Sequence, residues 1–179
     1  HYDWLDSLGK ISNEVDYDWY IKCHPNLTLS FDNTIDITKK FVRKYRKIKY
    51  LKSNTSHNQI IKEGINFVLT VNGNIASEYP YFGIPAINAS LNHPHVNYNF
   101  SVTPKNKNEY LRLIKNLSFL KYKIKKKEIL EHHYMKNEFF SNRWFFQDLN
   151  KVKNTLNGYE NFFRISMYEY WMKNFNLQN

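Results

Sequence analysis

The sequence predicts an α/β fold, a parallel sheet with helices on both faces, and three observations carry that expectation. Short apolar, β-branched runs alternate with segments of helical periodicity, and the chain turns mainly helical only after them. One stretch, Asn66 to Ser90, reads as strand, glycine turn, short helix and strand, a complete βαβ unit. No repeat or low-complexity linker interrupts the order, and 179 residues with 42% hydrophobic content suit one domain with a sizeable core.

The βαβ unit is the part with chemistry in it. Phe67-Val68-Leu69-Thr70-Val71 has the composition of a buried strand. It stops at Asn72-Gly73-Asn74, a turn triplet in which Gly73 can take φ > 0 and brings backbone close to whatever lies above. Asn74 is placed to cap a helix starting at Ile75, Pro80 falls within its first turns, and Gly83 followed by Pro85 closes it. Ala86 to Ala89 is the returning strand. A helix that starts at a strand's carboxyl end directs unpaired N–H groups and its positive pole at one spot, which suits phosphate. Glu78, one turn inside, suits ribose hydroxyls. The alternative is a plain scaffold turn, which any α/β protein contains.

Taken in order, Asp3 to Asn13 reads as a short helix and Tyr17 to Lys22 as an aromatic-rich strand. The strand ends at Cys23-His24-Pro25-Asn26, where Pro25 holds His24 extended at its mouth. Ile37, Phe41, Tyr45 and Ile48 recur at helical spacing and predict a buried stripe opposite the lysines and arginines of Lys39 to Lys47. Ile48 to Leu51 is a third strand, and the polar run Lys52-Ser53-Asn54-Thr55-Ser56 at its carboxyl end either borders a base or ribose or simply caps the next helix, His57 to Glu63. Leu91 to His95 forms a loop able to fold over the site. Its two histidines lack the supporting ligands that zinc requires. Tyr98 to Val102 reads as an edge strand. Asn106 and Glu109 form a capping box for a helix with Tyr110, Leu113, Ile114 and Leu117 on its buried side. A further helix is expected from Lys125 to about Phe140. Its adjacent His132 and His133 diverge, and only Glu128 shares a face with His132. From Arg143 to Phe175 the chain is aromatic and helical in character. The organisation expected is one nucleotide-binding domain over 1–179, with 120–179 a mainly helical extension.

Aromatic residues at 17%, many of them tyrosine, imply amphipathic packing around clefts as well as core. The lone Cys23 excludes an internal disulfide and suits a reducing compartment. Asn26-Leu27-Thr28 and Asn88-Ala89-Ser90 follow from Asn-rich composition rather than glycosylation. No apolar run has the length of a membrane span and no signal peptide is visible, while a first residue of His rather than Met suggests a fragment or processed product. Of the net charge of +10, eight basic residues lie between Lys39 and Lys52 without an acid, and five more between Lys121 and Lys127. A solvated helix face accounts for the first group; peripheral contact with an anionic membrane is the lesser expectation. A nucleic-acid-binding domain would need groove-reading or stacking motifs, and none is found.

The string Val71-Asn72-Gly73-Asn74-Ile75-Ala76-Ser77-Glu78, with Phe82-Gly83-Ile84-Pro85-Ala86-Ile87 after it, resembles the donor-binding half of GT-B glycosyltransferases, most closely those of bacterial capsule and surface polysaccharides. Those enzymes carry Gly-Thr or Gly-Ser where this chain has Gly73-Asn74. Lys22-Cys23-His24-Pro25 likewise resembles a motif that such enzymes set against the donor phosphates. The resemblance covers about Tyr20 to Leu117. It implies a Rossmann-like lobe that binds a sugar nucleotide without a metal or other cofactor, in the cytoplasm or at the inner face of the membrane. It assigns Lys22, His24, Asn72, Gly73 and Asn74 to the phosphates, and Glu78, Ser53 and Asn54 to ribose or base. The general base and the second lobe belong to the N-terminal half of such enzymes, so this lobe alone is expected to bind donor without turnover, and the acceptor is a glycan or lipid-linked glycan. The rival expectations are a scaffold domain of the same fold without activity, a nucleic-acid-binding domain, and a nucleotide-sugar epimerase, which would need catalytic carboxylates.

Overall fold

A computed structural model describes residues 2–24 and 34–139, together with Glu169 and Lys173. The chain divides into two compact units, residues 1–129 and 130–179. In the first, α1 (Tyr2–Glu14), β1 (Trp19–Lys22), α2 (Thr34–Lys44), β2 (Ile48–Leu51), α3 (His57–Lys62), β3 (Val68–Thr70), α4 (Ile75–Tyr81), β4 (Ala86–Asn88) and α5 (Lys107–Lys115) follow in order. A 3-10 turn, Leu117–Phe119, precedes α6 (Lys126–Tyr134), which runs on into the second unit and ends in a π-helical turn, Met135–Phe139. The helical segment expected from Arg143 to Phe175 lies outside the described residues, apart from Glu169 and Lys173, both helical.

The mixed α/β class and the parallel direction of every strand pair agree with the sequence reading. The strands do not form one ladder. β1 pairs with β2, Trp19 opposite Ile48 through Lys22 opposite Leu51, and β3 pairs with β4, Val68 opposite Ala86 through Thr70 opposite Asn88. The expected edge strand at Tyr98 to Val102 is reduced to one parallel bridge. Asn88 N–H donates to Val102 O and Val102 N–H to Ala86 O, both at 2.8 Å.

Strand alternation divides the side chains of β3 and β4 between two interiors. Val68 and Ala86 point to a cluster with Ala76 and Tyr79 of α4, walled by Ile60 and Ile61 of α3. Leu69 and Ile87 point the other way, to the larger core of Leu8 and Ile11 from α1, Trp19, Tyr45, Ile48, and Tyr110 and Ile114 from α5. Helices thus cover both faces of this strand pair, and the two sheets share one interior through Trp19, Ile48 and Ile87. Fully burying Ile87 or Ile114 contributes about 1.5–3 kcal/mol each.

The ends of α1 are tied far along the chain. Trp4 Nε1–H donates to Tyr110 Oη at 2.8 Å across 106 positions, and Tyr17 Oη donates to Lys115 O at 3.1 Å. Gly9 lies directly under the Tyr45 ring, where a β-carbon would collide with ring atoms, so α1 needs glycine there for close approach.

One expected stripe is corrected. Ile37 is 43% exposed, whereas Thr38 is buried. α2 faces inward through Thr38, Phe41 and Val42, with Tyr45 just beyond its end, so Ile37 falls on the rim among Lys40 and Lys44. Thr38 is at home inside because its hydroxyl donates to Thr34 O at 2.8 Å and accepts from Cys23 Sγ at 3.3 Å.

Candidate nucleotide site at the strand ends

Because each pair is parallel, its two carboxyl ends lie on one side, and the sequence-predicted residues collect there in two groups. The first group sits on β1 and β2. Lys22 is half-buried, Cys23 buried and His24 exposed. The Cys23–Thr38 contact fixes the exit of β1 against the second turn of α2. The register Lys22 opposite Leu51 brings Lys22 alongside the turn that carries half-buried Ser53 and exposed Asn54, a turn closed by Thr55 N–H to Lys52 O at 3.0 Å.

The second group sits on β3 and α4. Gly73 N–H donates to Thr70 Oγ1 at 2.9 Å, Ala76 N–H to Gly73 O at 3.1 Å, and Ser77 and Glu78 N–H to Asn74 O at 2.9 and 3.1 Å. Two expectations are corrected here. Gly73 does not have positive φ; among the described glycines only Gly64 and Gly83 do, at 84° and 86°, and Gly83 closes α4 as predicted. Gly73 is required instead for closeness, since a β-carbon would stand 2.8 Å from Thr70 Oγ1. Asn74 does not cap α4 with its side chain. Its dihedrals are already helical, φ −58° and ψ −24°, rather than the extended values from which a capping side chain reaches the first N–H groups. Asn106 shows the contrast. It is extended, φ −154° and ψ 170°, and its side chain accepts from Glu109 N–H at 2.9 Å. Glu109 Oε2 in turn accepts from Lys105 N–H, one residue earlier than a standard capping box.

Asn72, Asn74 and Glu78 present their side chains to solvent at this end. α4 beneath them is held firmly. Tyr79 is buried and shares a 2.8 Å hydrogen bond with His57 Nδ1 of α3, and Pro80 is fully buried. Burial, with the Glu78 charge adding to it, raises the Tyr79 phenol above its ordinary value and keeps it protonated. The arrangement offers amides and a carboxylate at one pair of strand ends and a lysine with a histidine at the other.

A polar group that sequence reasoning missed lies at the end of β4. Asn88 is fully buried; its Nδ2 donates to Ser101 Oγ at 2.9 Å and Thr103 Oγ1 at 3.1 Å. His95 Nε2 lies 3.3 Å from Asn88 Oδ1, and His93 Nε2 lies 3.1 Å from Thr103 Oγ1. Both histidines are buried, at 6% and 3% exposure, with ring centres 4.1 Å apart. The loop expected to fold over the site is pinned to β4 by its histidines and does not offer them to solvent. Two successive turns bring the rings together, with Val96 N–H donating to His93 O at 3.2 Å and Tyr98 N–H to His95 O at 3.0 Å, and the sequence carried no signal for them beyond Pro94. Among the described residues no three His, Cys, Asp or Glu side chains gather as a metal centre would need, and no helix is long and apolar enough to cross a membrane. Comparison with protein-family models, curated proteins and solved structures found no match.

Proposed function

We propose that this chain is the Rossmann-like, donor-nucleotide-binding lobe of a metal-independent GT-B glycosyltransferase that builds capsule or surface polysaccharide. The observation that carries the reading is the position of Lys22, His24, Ser53 and Asn54 at the carboxyl end of one parallel strand pair and of Asn72, Asn74 and Glu78 at that of the other, the ends at which α/β sheets bind ligands. In this reading His24 and Lys22 bind the donor phosphates together with the turn at Asn72 to Asn74. Glu78 accepts from ribose hydroxyls, and Ser53 and Asn54 border the base. The positive groups offset charge on the leaving nucleotide, and the base that activates the glycan or lipid-linked acceptor comes from the partner lobe. The exposed Lys39, Lys40 and Arg43 on α2 suit peripheral contact with the anionic inner face of a membrane.

A second reading, a scaffold domain without activity, is favoured by one specific observation. Gly73 N–H is already committed to Thr70, so a phosphate at that N–H must exchange against an existing bond. Calorimetry with a panel of uridine, cytidine and guanosine sugar nucleotides separates the two. Binding of one class at or below about millimolar concentration is the expected result; silence from every nucleotide at that level replaces the first reading with the second.

A further inference from the structure

We propose that residues 120–125 receive an extended acidic peptide of a partner protein by strand addition, a peptide in which acidic and apolar residues alternate. The proposal is independent of which ligand the strand ends hold.

Between the 3-10 turn and α6 the chain runs Leu120-Lys121-Tyr122-Lys123-Ile124-Lys125, up to the start of α6 and outside any helix or ladder. Leu120 has extended dihedrals, φ −69° and ψ 109°. From there exposure alternates: Leu120, Tyr122 and Ile124 are half-buried, and Lys121, Lys123 and Lys125 are exposed. A two-residue period is the signature of an extended strand with one side against the protein. That inner side is fastened. Leu120 packs against the main core, and Tyr122 Oη is directed at the carbonyls of Asn99 and Ser101, at 2.6 and 3.1 Å. A segment already held extended loses little freedom when a second strand is laid beside it.

The backbone of this segment is unused. Leu120 N–H donates to Leu117 O at 3.0 Å, and Lys125 O accepts from Glu128 N–H at 3.0 Å. Between those two bonds, the N–H and C=O groups of Lys121, Tyr122, Lys123 and Ile124 have no partner among the described residues. Such groups on an extended segment are what an added strand bonds to.

Charge and surface identify the occupant. Lys125 pairs with Glu128 at 3.0 Å, whereas Lys121 and Lys123 have no ion pair among the described residues. The two lie on one side, about 6.8 Å apart along the strand, and alternate residues of a paired strand come opposite them at the same spacing. Acidic residues at every second position meet these lysines. A second copy of the chain does not, because two such edges set lysine against lysine and each chain carries a net charge of +10. A row of phosphates answers the lysines but has no donor for the carbonyls. The partner residues between the acids fall on the side of Leu120, Tyr122 and Ile124, which suits apolar side chains. At the Leu120 end a shallow groove of about 350 Å3, lined by Glu109, Arg112, Leu113, Asn116, Phe119 and Leu120, has room for one of them. Phe119, 81% exposed, would be covered by it.

Fluorescence anisotropy and hydrogen–deuterium exchange on the whole chain test this with three labelled eight-residue peptides. The first alternates glutamate with valine, the second groups the same glutamates at one end, and the third is the first with every backbone nitrogen methylated. The alternating peptide should bind at least about tenfold more tightly than either of the others, and Lys121→Glu with Lys123→Glu should weaken it at least about tenfold. Its binding should slow exchange of the amides of residues 121–124 by about tenfold or more. No binding of the alternating peptide at about millimolar concentration overturns the proposal, as does equal binding of all three. Amides of 121–124 that are already protected in the free chain overturn it too. Tighter binding of oligouridylate or of phosphatidylglycerol vesicles than of the peptide, lost in the same double variant, replaces it with a surface for polyanions.

Discussion

Gly73 N–H donates to Thr70 Oγ1 at 2.9 Å, and the approach that makes this bond leaves no room for a β-carbon on Gly73. The turn that leaves β3 is thus closed by a side chain of β3 itself. Gly73→Ala should destabilise the chain by about 1–3 kcal/mol through overpacking, and Thr70→Ala by about 1 kcal/mol through the lost bond. In Thr70→Ala the obstructing hydroxyl is gone, so the double variant should cost less than the sum by about 1 kcal/mol. Urea unfolding of the four proteins measures this, and strict additivity would remove Thr70 as the reason for glycine at 73.

Asp6 is the electrostatic anchor between α1 and the end of α2. It receives Lys10 and Lys44, each at 2.8 Å, and Tyr45 Oη at 2.6 Å. Hydrogen bonds from Lys10, Lys44 and Tyr45 hold its carboxyl well below the usual range of 3.8. A depressed carboxyl stabilises the fold above its unfolded value and loses that contribution as pH falls through the folded one. Asp6→Asn should therefore lower Tm at neutral pH, and its gap from the parent should narrow as pH drops below about 3.8. A gap of constant size down to about pH 2 would exclude the ionic origin.

His24 and Glu78 sit on different strand pairs and are assigned different parts of one donor, so their variants should fail differently. His24→Ala removes a donor to an anion, worth about 1.5–3 kcal/mol, and should weaken nucleoside mono- and diphosphates roughly ten- to a hundredfold while sparing nucleosides. Glu78→Gln should weaken nucleosides and nucleotides alike. Calorimetry reads both, and unchanged nucleotide binding by His24→Ala removes His24 from the site.

The basic face of α2 is separable from the nucleotide site. Lys44 is spoken for by Asp6, so a clean test reverses Lys39, Lys40 and Arg43 to Glu. Nucleotide affinity should not change. Adsorption to vesicles containing phosphatidylglycerol should fall at least tenfold at low salt, given about 1 kcal/mol for each basic residue near the surface. Tight sequence-selective binding of an oligonucleotide that these reversals abolish would instead favour a nucleic-acid partner.

Local chemistry made some elements legible and left others hidden. β2 appears at its predicted bounds, Ile48–Leu51, because a short apolar run between polar residues has little freedom. The buried side of α5 was legible for the same local reason, with Tyr110 and Ile114 enclosed. Ile37 misled because apolar spacing cannot tell which of two neighbouring helical positions a tertiary partner will occupy, and Cys23 selected Thr38. The division into two strand pairs depends on which non-local neighbours meet, which no single run encodes. Lys22, His24, Asn72 and Glu78 were readable as strand-end residues. The Asn88 network was not, since its members become a unit only when Ser101 and Thr103 return alongside β4.

The hydrogen bond between Trp4 and Tyr110 also bears on how the chain is made. β3, α4 and β4 are contiguous, so their pairing can close as soon as that stretch leaves the ribosome. α1 is synthesised before them, yet the hydroxyl that receives its Trp4 indole lies 106 positions downstream. During synthesis α1 must wait, its Leu8 and Ile11 side lacking the α5 surface that later covers it. Since loop closure over such a distance adds entropy slowly with length but must precede the contacts that reward it, the docking of α1 belongs to the last steps of assembly. The earliest-made helix of the described chain thus keeps part of its apolar side uncovered until α5 has been made.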